Sequence, residues 1–280
     1  MHDDTTEIAI IVNNIAGCPG LISEHGFSMY IKTGPQRIIF DTGQESYVFA
    51  NNARKLGIDM RSIKTVVLSH GHYDHTGGMP GVVAACGTFD LYAHPEVMST
   101  RYSVRPERVK SNGIPLEAHA AIQSLPARSL HWSAKSVNLT NNVGLTGYIP
   151  RETNYEDSGG PFFFDQDGDQ LDPINDDQAL WIKTEKGLII CTGCCHAGII
   201  NTLRHVQRLS GCEKIRAVIG GLHLVNASAE RITKTMVALN EFQLELIVPC
   251  HCTGATATEL IQNQFKERAT SCAAGRRFCF

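Results

Sequence analysis

The sequence predicts an α/β protein. Segments with the short apolar runs of strands alternate with segments of helical periodicity along most of the chain. The 280 residues are 42% hydrophobic and 19% charged, a mix that can bury a substantial core in one large domain. We therefore expect a single domain over residues 1–280.

The first half of the chain reads as a series of strands joined by turns and helices. Gly34-Pro35 is a turn signal between two predicted strands. A helix is predicted over residues 46–56 and another after Gly77-Gly78. The predicted strands are residues 7–12, 27–33, 36–40, 64–68 and 89–93.

The middle of the chain, about residues 99–177, is less regular and rich in Gly, Pro, Asn and Asp. Long irregular stretches inside a domain tend to be binding loops, and we interpret this one as an insertion on the substrate side. Regular alternation then resumes. Strands are predicted at 179–184, 187–191, 215–219 and 244–248, and helices at 199–209, 229–242 and 259–265.

The two ends of the chain resemble each other. The run that ends in Asp41-Thr42-Gly43 is similar to the run that ends in Cys191-Thr192-Gly193, and each leads through a helix to an apolar strand followed by His. One interpretation is two similar halves whose strand ends face a shared cleft. The alternative is that any strand–turn–helix repeat has this pattern.

Charge and composition exclude several classes of partner. The formal net charge is −3 and no run of Lys or Arg is present, which disfavours nucleic acid. No window approaches the ~18 apolar residues of a membrane helix, and the N-terminus has neither the basic start nor the apolar stretch of a secretory signal. We expect a cytoplasmic protein with a small-molecule substrate. The sequence does not indicate an oligomeric state.

The ten cysteines also favour a reducing compartment. Several of them are clustered beside histidines, including Cys194-Cys195-His196 and Cys250-His251-Cys252. In a chain without an export signal, such clusters indicate reduced thiols near a metal rather than a disulfide framework.

The strongest functional signal is a cluster of three His and one Asp within six residues. His70 and His72 stand at i and i+2 after a predicted buried strand, so both can point to one ion. If the chain then turns into a helix, Asp74 and His75 point to a second position nearby. Imidazole and carboxylate suit Zn²⁺ or Fe, and two metals about 3.5–4 Å apart can clamp a reacting group.

The pattern His-x-His-x-Asp-His after a buried strand resembles the signature of the metallo-β-lactamase superfamily. Phe40-Asp41-Thr42-Gly43 is similar to the family's first motif, whose Asp supports the ligands from behind, which implies that role for Asp41. Pro249-Cys250-His251 is similar to its last motif, which implies that His251 binds the second metal. The matched segments run from about residue 8 to residue 254. The resemblance implies a four-layer αββα sandwich.

Further motifs resemble one branch of this superfamily, which includes archaeal dihydropterin-ribofuranosylaminobenzene-phosphate synthases and related metal-dependent hydrolases. These motifs form an ordered set along the chain that includes Glu24-His25-Gly26, Thr146-Gly147-Tyr148, Cys194-Cys195-His196, Gly220-Gly221-Leu222-His223 and Pro249-Cys250-His251-Cys252.

The sequence departs from the superfamily pattern at the third His of the first metal and at the Asp that bridges the two metals. The usual bridging Asp in a Thr-Gly-Asp turn is replaced, because Thr192-Gly193 is followed by Cys194, and no His lies between His131 and His196. We infer that His196 supplies the missing imidazole. Cys194 is either a thiolate ligand, which would favour zinc over Mg or Mn, or a small buried hydrophobe. A further alternative is a separate zinc site of four cysteines, in which Cys194 is joined by members of the set Cys191, Cys195, Cys250 and Cys252.

Three other residues are candidates for contact with substrate. His25 and His223 occur in the branch motifs, and each could equally be a structural histidine. Arg151 could bind phosphate, an expectation that follows from residue type alone.

The resemblance implies a hydrolase with two zinc ions, with Fe or Mn as possible replacements. A metal-bound hydroxide would attack a carbonyl or phosphoryl centre of a small molecule, and Asp74 would both bind metal and orient the nucleophile. In a pterin-phosphate transferase, the metals would instead activate a diphosphate leaving group.

Two other functions are compatible with the sequence. The altered turn at Cys194 allows a metal-binding sensor or binding module of the same fold without turnover. A di-iron oxygen-reducing protein is the third hypothesis, although the carboxylate replacements and the flavin domain of that branch do not occur here.

Overall fold

A computed structural model describes residues 5–280. Met1–Asp4, which belong to the N-terminal stretch without a predicted secretory signal, lie outside the described residues. The chain forms two units by its internal packing. The first comprises residues 5–102 with Ser111–Trp132 and Cys272–Phe280, and the second Ser103–Lys110 with Ser133–Ser271. The single-domain organisation stays a prediction.

The strands and helices alternate along the chain, as the sequence predicts. The strands are β1 (Thr6–Val12), β2 (Ser28–Thr33), β3 (Gln36–Phe40), β4 (Thr65–Val67), β5 (Asp90–Ala93), β6 (Tyr102–Arg105), β7 (Arg108–Ser111), β8 (Leu130–Trp132), β9 (Val137–Asn138), β10 (Val143–Leu145), β11 (Phe162–Phe163), β12 (Ala179–Thr184), β13 (Gly187–Thr192), β14 (Ile215–Gly221), β15 (Leu246–Cys250) and β16 (Arg277–Cys279). The α-helices are α1 (Ser46–Lys55), α2 (Tyr73–Thr76), α3 (Met79–Ala85), α4 (Leu116–Gln123), α5 (Ile199–Ser210), α6 (Ala229–Glu241) and α7 (Ala255–Phe265). Short 3₁₀ helices occur at Met60–Ser62, Pro95–Met98, Ala127–Ser129, His251–Thr253 and Lys266–Arg268.

The first unit contains a seven-stranded sheet in the order β16-β1-β2-β3-β4-β5-β8. Strands β16, β1, β2 and β3 pair antiparallel, and β3, β4, β5 and β8 pair parallel. Because Phe40 pairs with Val67 and Val67 with Tyr92, the carboxyl ends of β3, β4 and β5 meet at one edge. The residues that follow these strands therefore converge.

Apolar side chains from this sheet and its helices form one core cluster. Ile39, Val66 and Leu91 of the parallel strands pack with Phe49 of α1 and Val82 of α3. All five are at most 1% exposed. Burying a side chain of this size contributes about 1.5–3 kcal/mol, so this cluster fixes the edge from which the His motif leaves β4.

The second unit contains a six-stranded sheet in the order β15-β14-β13-β12-β10-β9. Strands β12 and β13 form an antiparallel hairpin, and β13, β14 and β15 are parallel. Its core cluster joins Ile190 and Val218 of the sheet to Leu203 of α5, Leu239 of α6 and Ile261 of α7. A three-stranded sheet, β11-β6-β7, is built from the middle of the chain.

Each unit repeats one supersecondary pattern, a hairpin followed by two further parallel strands with helices between them. In the first unit the strands are β2, β3, β4 and β5; in the second they are β12, β13, β14 and β15. A 3₁₀ helix follows the last strand in both cases, at Pro95–Met98 and His251–Thr253. The repeat that the sequence suggests is thus present in the topology of the units.

The predicted irregular region divides into two parts. Residues 99–145 contain short elements, β6 to β10 with α4, which the sequence did not indicate. Within residues 146–178, β11 is the single described strand, and the remaining residues are turns and loops.

Two further properties concern the whole described chain. No helix among residues 5–280 combines the length and the apolar character that crossing a membrane requires. None of the ten cysteines, all of which lie in this range, takes part in a disulfide.

Candidate metal centre

The His motif lies at the carboxyl edge of the first unit's sheet. His70 and His72 follow β4 in a segment with bends at Ser69 and Gly71. His72 has an extended backbone and is the N-cap residue of the four-residue helix α2. Asp74 and His75 lie in that helix, so the backbone turns between the two pairs as the sequence predicts. All four side chains are buried: His70 and His75 are 0% exposed, His72 is 5% and Asp74 is 6% exposed.

The facing nitrogens of His70 and His72 are close enough to share one ion. His70 Nε2 lies 3.0 Å from His72 Nδ1. Two nitrogen ligands of a tetrahedral zinc, each about 2.0–2.1 Å from the metal, lie about 3.4 Å apart. A change of a few tenths of an ångström therefore accommodates the ion, and the donor pair fits zinc.

Asp41 fixes the tautomers of two of these histidines. Its Oδ2 lies 2.7 Å from His75 Nδ1 and accepts the Ser69 Oγ hydroxyl at 2.7 Å. Because that hydroxyl has a single proton, Ser69 Oγ must accept from His70 Nδ1, 2.9 Å away. Both imidazoles are thus protonated at Nδ1 and keep a lone pair at Nε2, the form that binds metal.

The Asp41 carboxylate is itself held firmly. It is completely buried, and its Oδ1 also accepts the backbone N–H of Ser69 at 2.7 Å. Its backbone is left-handed, with φ of 60°. Asp is one of the few residues that tolerate this conformation, which lets the chain leave β3 and aim the carboxylate at Ser69 and His75.

Asp74 is shared between His75 and the predicted substrate residue His25. Asp74 Oδ2 lies 3.9 Å from His75 Nε2 and 3.2 Å from His25 Nε2. The His25 side chain is 57% exposed, so it links a buried carboxylate to solvent. Its neighbour Glu24 accepts the N–H of Gln44 at 2.8 Å, and burial raises the pKa of Glu24 to about 7.

The two glycines that follow the motif allow a close backbone contact. A Cβ on Gly77 would lie 2.1 Å from the Gln44 carbonyl oxygen, and one on Gly78 would lie 2.0 Å from the Thr42 carbonyl oxygen. Thr42 N–H donates to the His75 carbonyl at 2.8 Å. Glycine at 77 and 78 therefore lets α2 and α3 approach the turn that carries Asp41.

In the second unit, His196 has the same kind of tautomer control. Its Nδ1 lies 2.8 Å from the Ser158 carbonyl oxygen, which can only accept, so the proton resides on Nδ1 and Nε2 keeps its lone pair. The Phe162 ring packs edge-on against it at a centroid distance of 5.4 Å. His196 is completely buried and has the form expected of the missing imidazole.

Arg151 contacts the backbone that carries His196. Its guanidinium donates to the His196 carbonyl at 2.6 Å and to the Pro173 carbonyl. These bonds engage N–H groups that a bound phosphate would require. The predicted contact between Arg151 and substrate stays a prediction, and the observed contacts favour a positioning role.

Two buried carboxyl groups hold the start of α5, directly after His196. Asp177 accepts the Ala197 N–H at 2.8 Å, and Glu156 accepts those of Ile200 and Asn201 at 2.9 and 3.0 Å. Burial raises the pKa of Asp177 to about 6, against the lowering effects of this hydrogen bond and of the Arg151 charge. Burial also raises the pKa of Glu156.

The remaining candidates of the second unit lie at the ends of parallel strands. Cys194 follows β13, His223 follows β14, and His251 begins the 3₁₀ helix after β15. The Thr253 hydroxyl accepts the Leu222 N–H at 3.1 Å and donates to the Cys250 carbonyl at 2.8 Å. These two hydrogen bonds connect the turn that carries His251 to the end of β14.

Left-handed backbone recurs at these strand ends. His223 and His251 have φ of 44° and 45°, like Asp41 in the first unit. A non-glycine residue in this region costs of order 1–3 kcal/mol and persists where surrounding structure demands it. Such residues cluster at functional sites, and all three are candidate site residues.

The four-cysteine alternative is not what the structure forms. Cys195 Sγ lies 3.3 Å from the Thr202 hydroxyl, and Cys250 donates to the Val248 carbonyl at 3.3 Å. Burial raises the pKa of the Cys191 and Cys195 thiols well above its usual range. These thiols behave as small buried side chains, whereas Cys194 and Cys252 lie together with His223.

Sequence reasoning missed the residues that hold the ligands. Ser69, Ser158 and Glu156 act through one hydroxyl, one backbone carbonyl and one capping carboxylate. For Ser69, the one sequence signal was its position directly before His70. The other two lie in the irregular region, where no periodicity indicated which atoms would face the site.

Comparison with known proteins gives the family. A model of the β-lactamase superfamily domain matches residues 36–151. The chain is 33% identical over 265 residues to 7,8-dihydropterin-6-methyl-4-(β-D-ribofuranosyl)-aminobenzene-5′-phosphate synthase of Methanocaldococcus jannaschii, covering 91% of this chain and 89% of that protein.

Solved structures agree with this assignment. The crystal structure of Tm1679, a metal-dependent hydrolase of the β-lactamase superfamily, has a TM-score of 0.82 and 31% identity, with 98% of each chain covered. Zn²⁺-bound PqqB of Methylobacterium extorquens has a TM-score of 0.57 at 10% identity over 97% of this chain and 99% of that one, a likeness of fold alone. The predicted fold class is therefore confirmed. The chain belongs to the metallo-β-lactamase superfamily, in the branch that includes the archaeal dihydropterin-ribofuranosylaminobenzene-phosphate synthase.

Proposed function

We propose that this chain is a metal-dependent hydrolase that acts on a phosphoryl or carbonyl group of a small molecule. The observation that carries the proposal is the Asp41 network. One buried carboxylate fixes the tautomer of His75 directly and that of His70 through Ser69. A packing role for these imidazoles would not require both Nε2 atoms to keep a lone pair, whereas metal binding does.

We propose zinc as the metal, in a two-metal centre, with Fe or Mn as replacements. Imidazole with one thiolate is a donor set that suits Zn²⁺ better than Mg²⁺. The metal supplies Lewis-acid polarisation of the substrate and lowers the pKa of a water molecule. The proposed ligands are the residues that the sequence indicated: His70, His72, Asp74, His75, Cys194, His196 and His251.

The chain's own residues orient the proposed reaction. Asp74 accepts from His25 Nε2 at 3.2 Å, so His25 can hold a proton there and present its other nitrogen to substrate. His25 is well exposed and His223 is 9% exposed. We propose both as contacts of the substrate, and Asp41 as the residue that keeps the metal-binding tautomers.

The second candidate reaction is transfer of a dihydropterin group to an aminobenzene phosphate. The observation that favours it is the 33% identity to the archaeal synthase over 91% of the chain. In both reactions the substrate is a phosphorylated or acylated small molecule. The clustered cysteines, with no disulfide among them, support the proposal of a cytoplasmic location.

The test combines metal analysis with a substrate panel. Purified protein would be assayed on a phosphodiester, a lactone, a thioester, and a dihydropterin diphosphate with an aminobenzene ribofuranosyl phosphate acceptor. We expect His70→Ala to lower metal affinity and activity by about 100-fold or more. The matched control is His131→Ala, because His131 pairs with Asp90 at 3.1 Å on the same sheet and lies outside the motif.

Each outcome has a distinct meaning. Turnover of the pterin pair alone would select the transferase, and turnover of a simple ester would select the hydrolase. A fully metallated protein that is inert on every class would contradict the proposal and favour a binding module. Unchanged metal content in His70→Ala would contradict the metal centre itself.

A further inference from the structure

Three side chains of the second unit converge from the ends of three adjacent parallel strands. Cys194 follows β13, His223 follows β14 and Cys252 follows β15. Their donor atoms, two Sγ and one ring nitrogen, all lie within 4.8 Å of one another. We name these three residues the Cys-His cluster. Because the strands are neighbours in the order β15-β14-β13, the sheet itself brings the three together.

The Cys-His cluster is buried and closely packed. Cys194 is 3% exposed, Cys252 is 6% and His223 is 9%. A Cβ on Gly221 would lie 2.6 Å from Cys252 Sγ, and one on Gly159 would lie 2.0 Å from His223 Cδ2. Two glycines therefore leave the space that the Cys252 thiol and the His223 ring occupy.

The His223 ring lacks a conventional partner on one side. The ring hydrogen-bonds to Cys252, whereas its Nδ1 is buried and makes no hydrogen bond within residues 5–280. A buried polar atom without a partner costs about 1–3 kcal/mol. In addition, His223 has a left-handed backbone. The unpaired Nδ1 and the left-handed backbone both destabilise the fold. We therefore expect His223 to bind a ligand rather than to serve packing alone.

Neighbouring thiols show what a packing role looks like in the same region. Cys195 lies against the Thr202 hydroxyl, and Cys250 donates to a carbonyl of its own strand. Neither belongs to a group of three possible ligands in the described part of the chain. The Cys252 thiol also donates to a carbonyl, that of Cys194 at 3.5 Å. The Cys-His cluster differs from these thiols because two sulfurs and a ring nitrogen lie within 4.8 Å of one another.

We propose that Cys194, His223 and Cys252 form a thiolate-rich metal site that takes Zn²⁺ or another thiophilic divalent cation. Two thiolates on one tetrahedral zinc, each at about 2.3 Å, lie about 3.8 Å apart, which the separation within the cluster allows. Each cysteine binds the metal as a thiolate, so any proton that its sulfur still holds is released to solvent when the ion binds. Cys252 is outside the proposed catalytic residues. His223 binds this cation through one ring nitrogen and keeps the other for the proposed substrate contact. The Cys194 sulfur is shared with the catalytic centre as a bridging ligand, and through it the inference rests on the proposed function.

The first experiment is a cobalt titration of the metal-free protein. Co²⁺ reports thiolate ligands by a sulfur-to-metal charge-transfer absorbance. We expect Cys252→Ser to lose about half of this absorbance, because one of two thiolates is removed, and to bind zinc with lower stoichiometry. Cys250→Ser is the matched control, since Cys250 lies two residues away with its sulfur bonded to Val248. Equal absorbance in Cys252→Ser and the wild-type chain would overturn the proposal.

The second experiment separates this inference from the proposed function. In His70→Ala/His72→Ala, we expect the cluster to keep its cobalt–thiolate absorbance while the metal bound through the His motif is lost. Loss of all cobalt–thiolate absorbance in this variant would contradict the proposal that the cluster binds metal without the His motif. If Cys252→Ser does not fold, His223→Asn provides a second test. We expect it to weaken cobalt binding by about 10-fold or more while both thiolates remain, and an unchanged affinity would contradict the site.

Discussion

The Asp41 carboxylate lies 2.7 Å from His75 Nδ1, and both residues are completely buried. This contact connects the residue after β3 with the last histidine of the motif after β4. The same oxygen accepts the Ser69 hydroxyl, so a single atom determines the protonation of two imidazoles. The tautomers that metal binding needs are thus set before any metal arrives.

Asp41→Asn should weaken metal binding and leave the fold intact. Asn tolerates left-handed backbone, but its amide can donate toward His75 Nδ1 and favour the wrong tautomer. We expect metal affinity to fall by about 10–100-fold, measured by competition with a chelator. Asp90→Asn is the matched control because it alters an Asp–His pair outside the motif; an equal loss in both variants would contradict the role of Asp41.

Ser69→Ala should separate metal binding from stability. It removes the hydroxyl that links Asp41 to His70, whereas Ser28→Ala removes a buried hydroxyl that donates to the Asp41 carbonyl at 2.8 Å. Each variant should unfold with a free energy lower by about 1 kcal/mol. Only Ser69→Ala should lose metal affinity in a chelator titration, and a loss in Ser28→Ala of the same size would refute the relay.

Asp177 should make the metal-free protein less stable as the pH rises from about 4 to about 6. Burial raises the pKa of its carboxyl from the ordinary 3.8 to about 6, so the folded state binds this proton more tightly than the unfolded chain does. The contribution is fully present below pH 4 and is lost through the pKa of about 6, at most about 3 kcal/mol. Urea unfolding of Asp177→Asn should show a flatter pH dependence than that of the exposed control Asp167→Asn.

Arg231 on α6 is buried and forms an ion pair with Asp157, whose side chain is 73% exposed, in the loop before Ser158. The Arg231 side chain is 2% exposed and its Nη1 lies 2.5 Å from Asp157 Oδ1. Arg231→Lys should lower the free energy of unfolding by about 1–3 kcal/mol, because Lys lacks the planar fork and fills the site poorly. Lys234→Gln breaks an exposed pair with Glu230 on the same helix and should cost about 0.3–0.5 kcal/mol; thermal unfolding of the two would compare them directly.

Gly78→Ala should be strongly destabilising although Ala suits the local backbone. Gly78 has φ of −75°, yet its Cβ would lie 2.0 Å from the Thr42 carbonyl oxygen. Overpacking of this kind costs about 1–3 kcal/mol or more. Gly87→Ala is the control, because nothing lies within 4 Å of the added Cβ. Similar melting temperatures for both variants would contradict the prediction and show that the turn at Thr42 moves to accommodate the added Cβ at little energetic cost.

Elements with a clear pattern were predictable from the sequence. Strands β3 and β12 have the predicted bounds. Each of them is an apolar run with a turn signal at one end, which marks where the strand begins or ends. The strand predicted at 244–248 is instead Leu246–Cys250. Leu244 is completely buried but lies in the loop after α6, where Gln243 has φ of 49°. An apolar residue buried by a loop has the same sequence signal as one buried by a strand.

Helical signals failed where apolar periodicity is weak. Helix α7 begins at Ala255 rather than near Glu259, because the Ala-Thr-Ala-Thr run carries no apolar stripe. Helix α2 has four polar residues and no period to detect. For the site, residue type and spacing indicated the ligands, whereas the contacts of Ser158 and Arg151 with His196 depend on backbone carbonyls. Such atoms are present in every residue and leave no mark in the sequence.

The pairing of β16 with β1 has a consequence for how this protein is made. Residues 277–279 complete the edge of a sheet whose other strands are all encoded before residue 133. While the ribosome is still producing the second unit, the apolar strand Thr6–Val12 exposes unsatisfied backbone groups to any other nascent chain. Such edges template aggregation. Completion of this edge of the sheet must therefore await synthesis of residues 277–279, or the strand must be shielded by a chaperone in the interval.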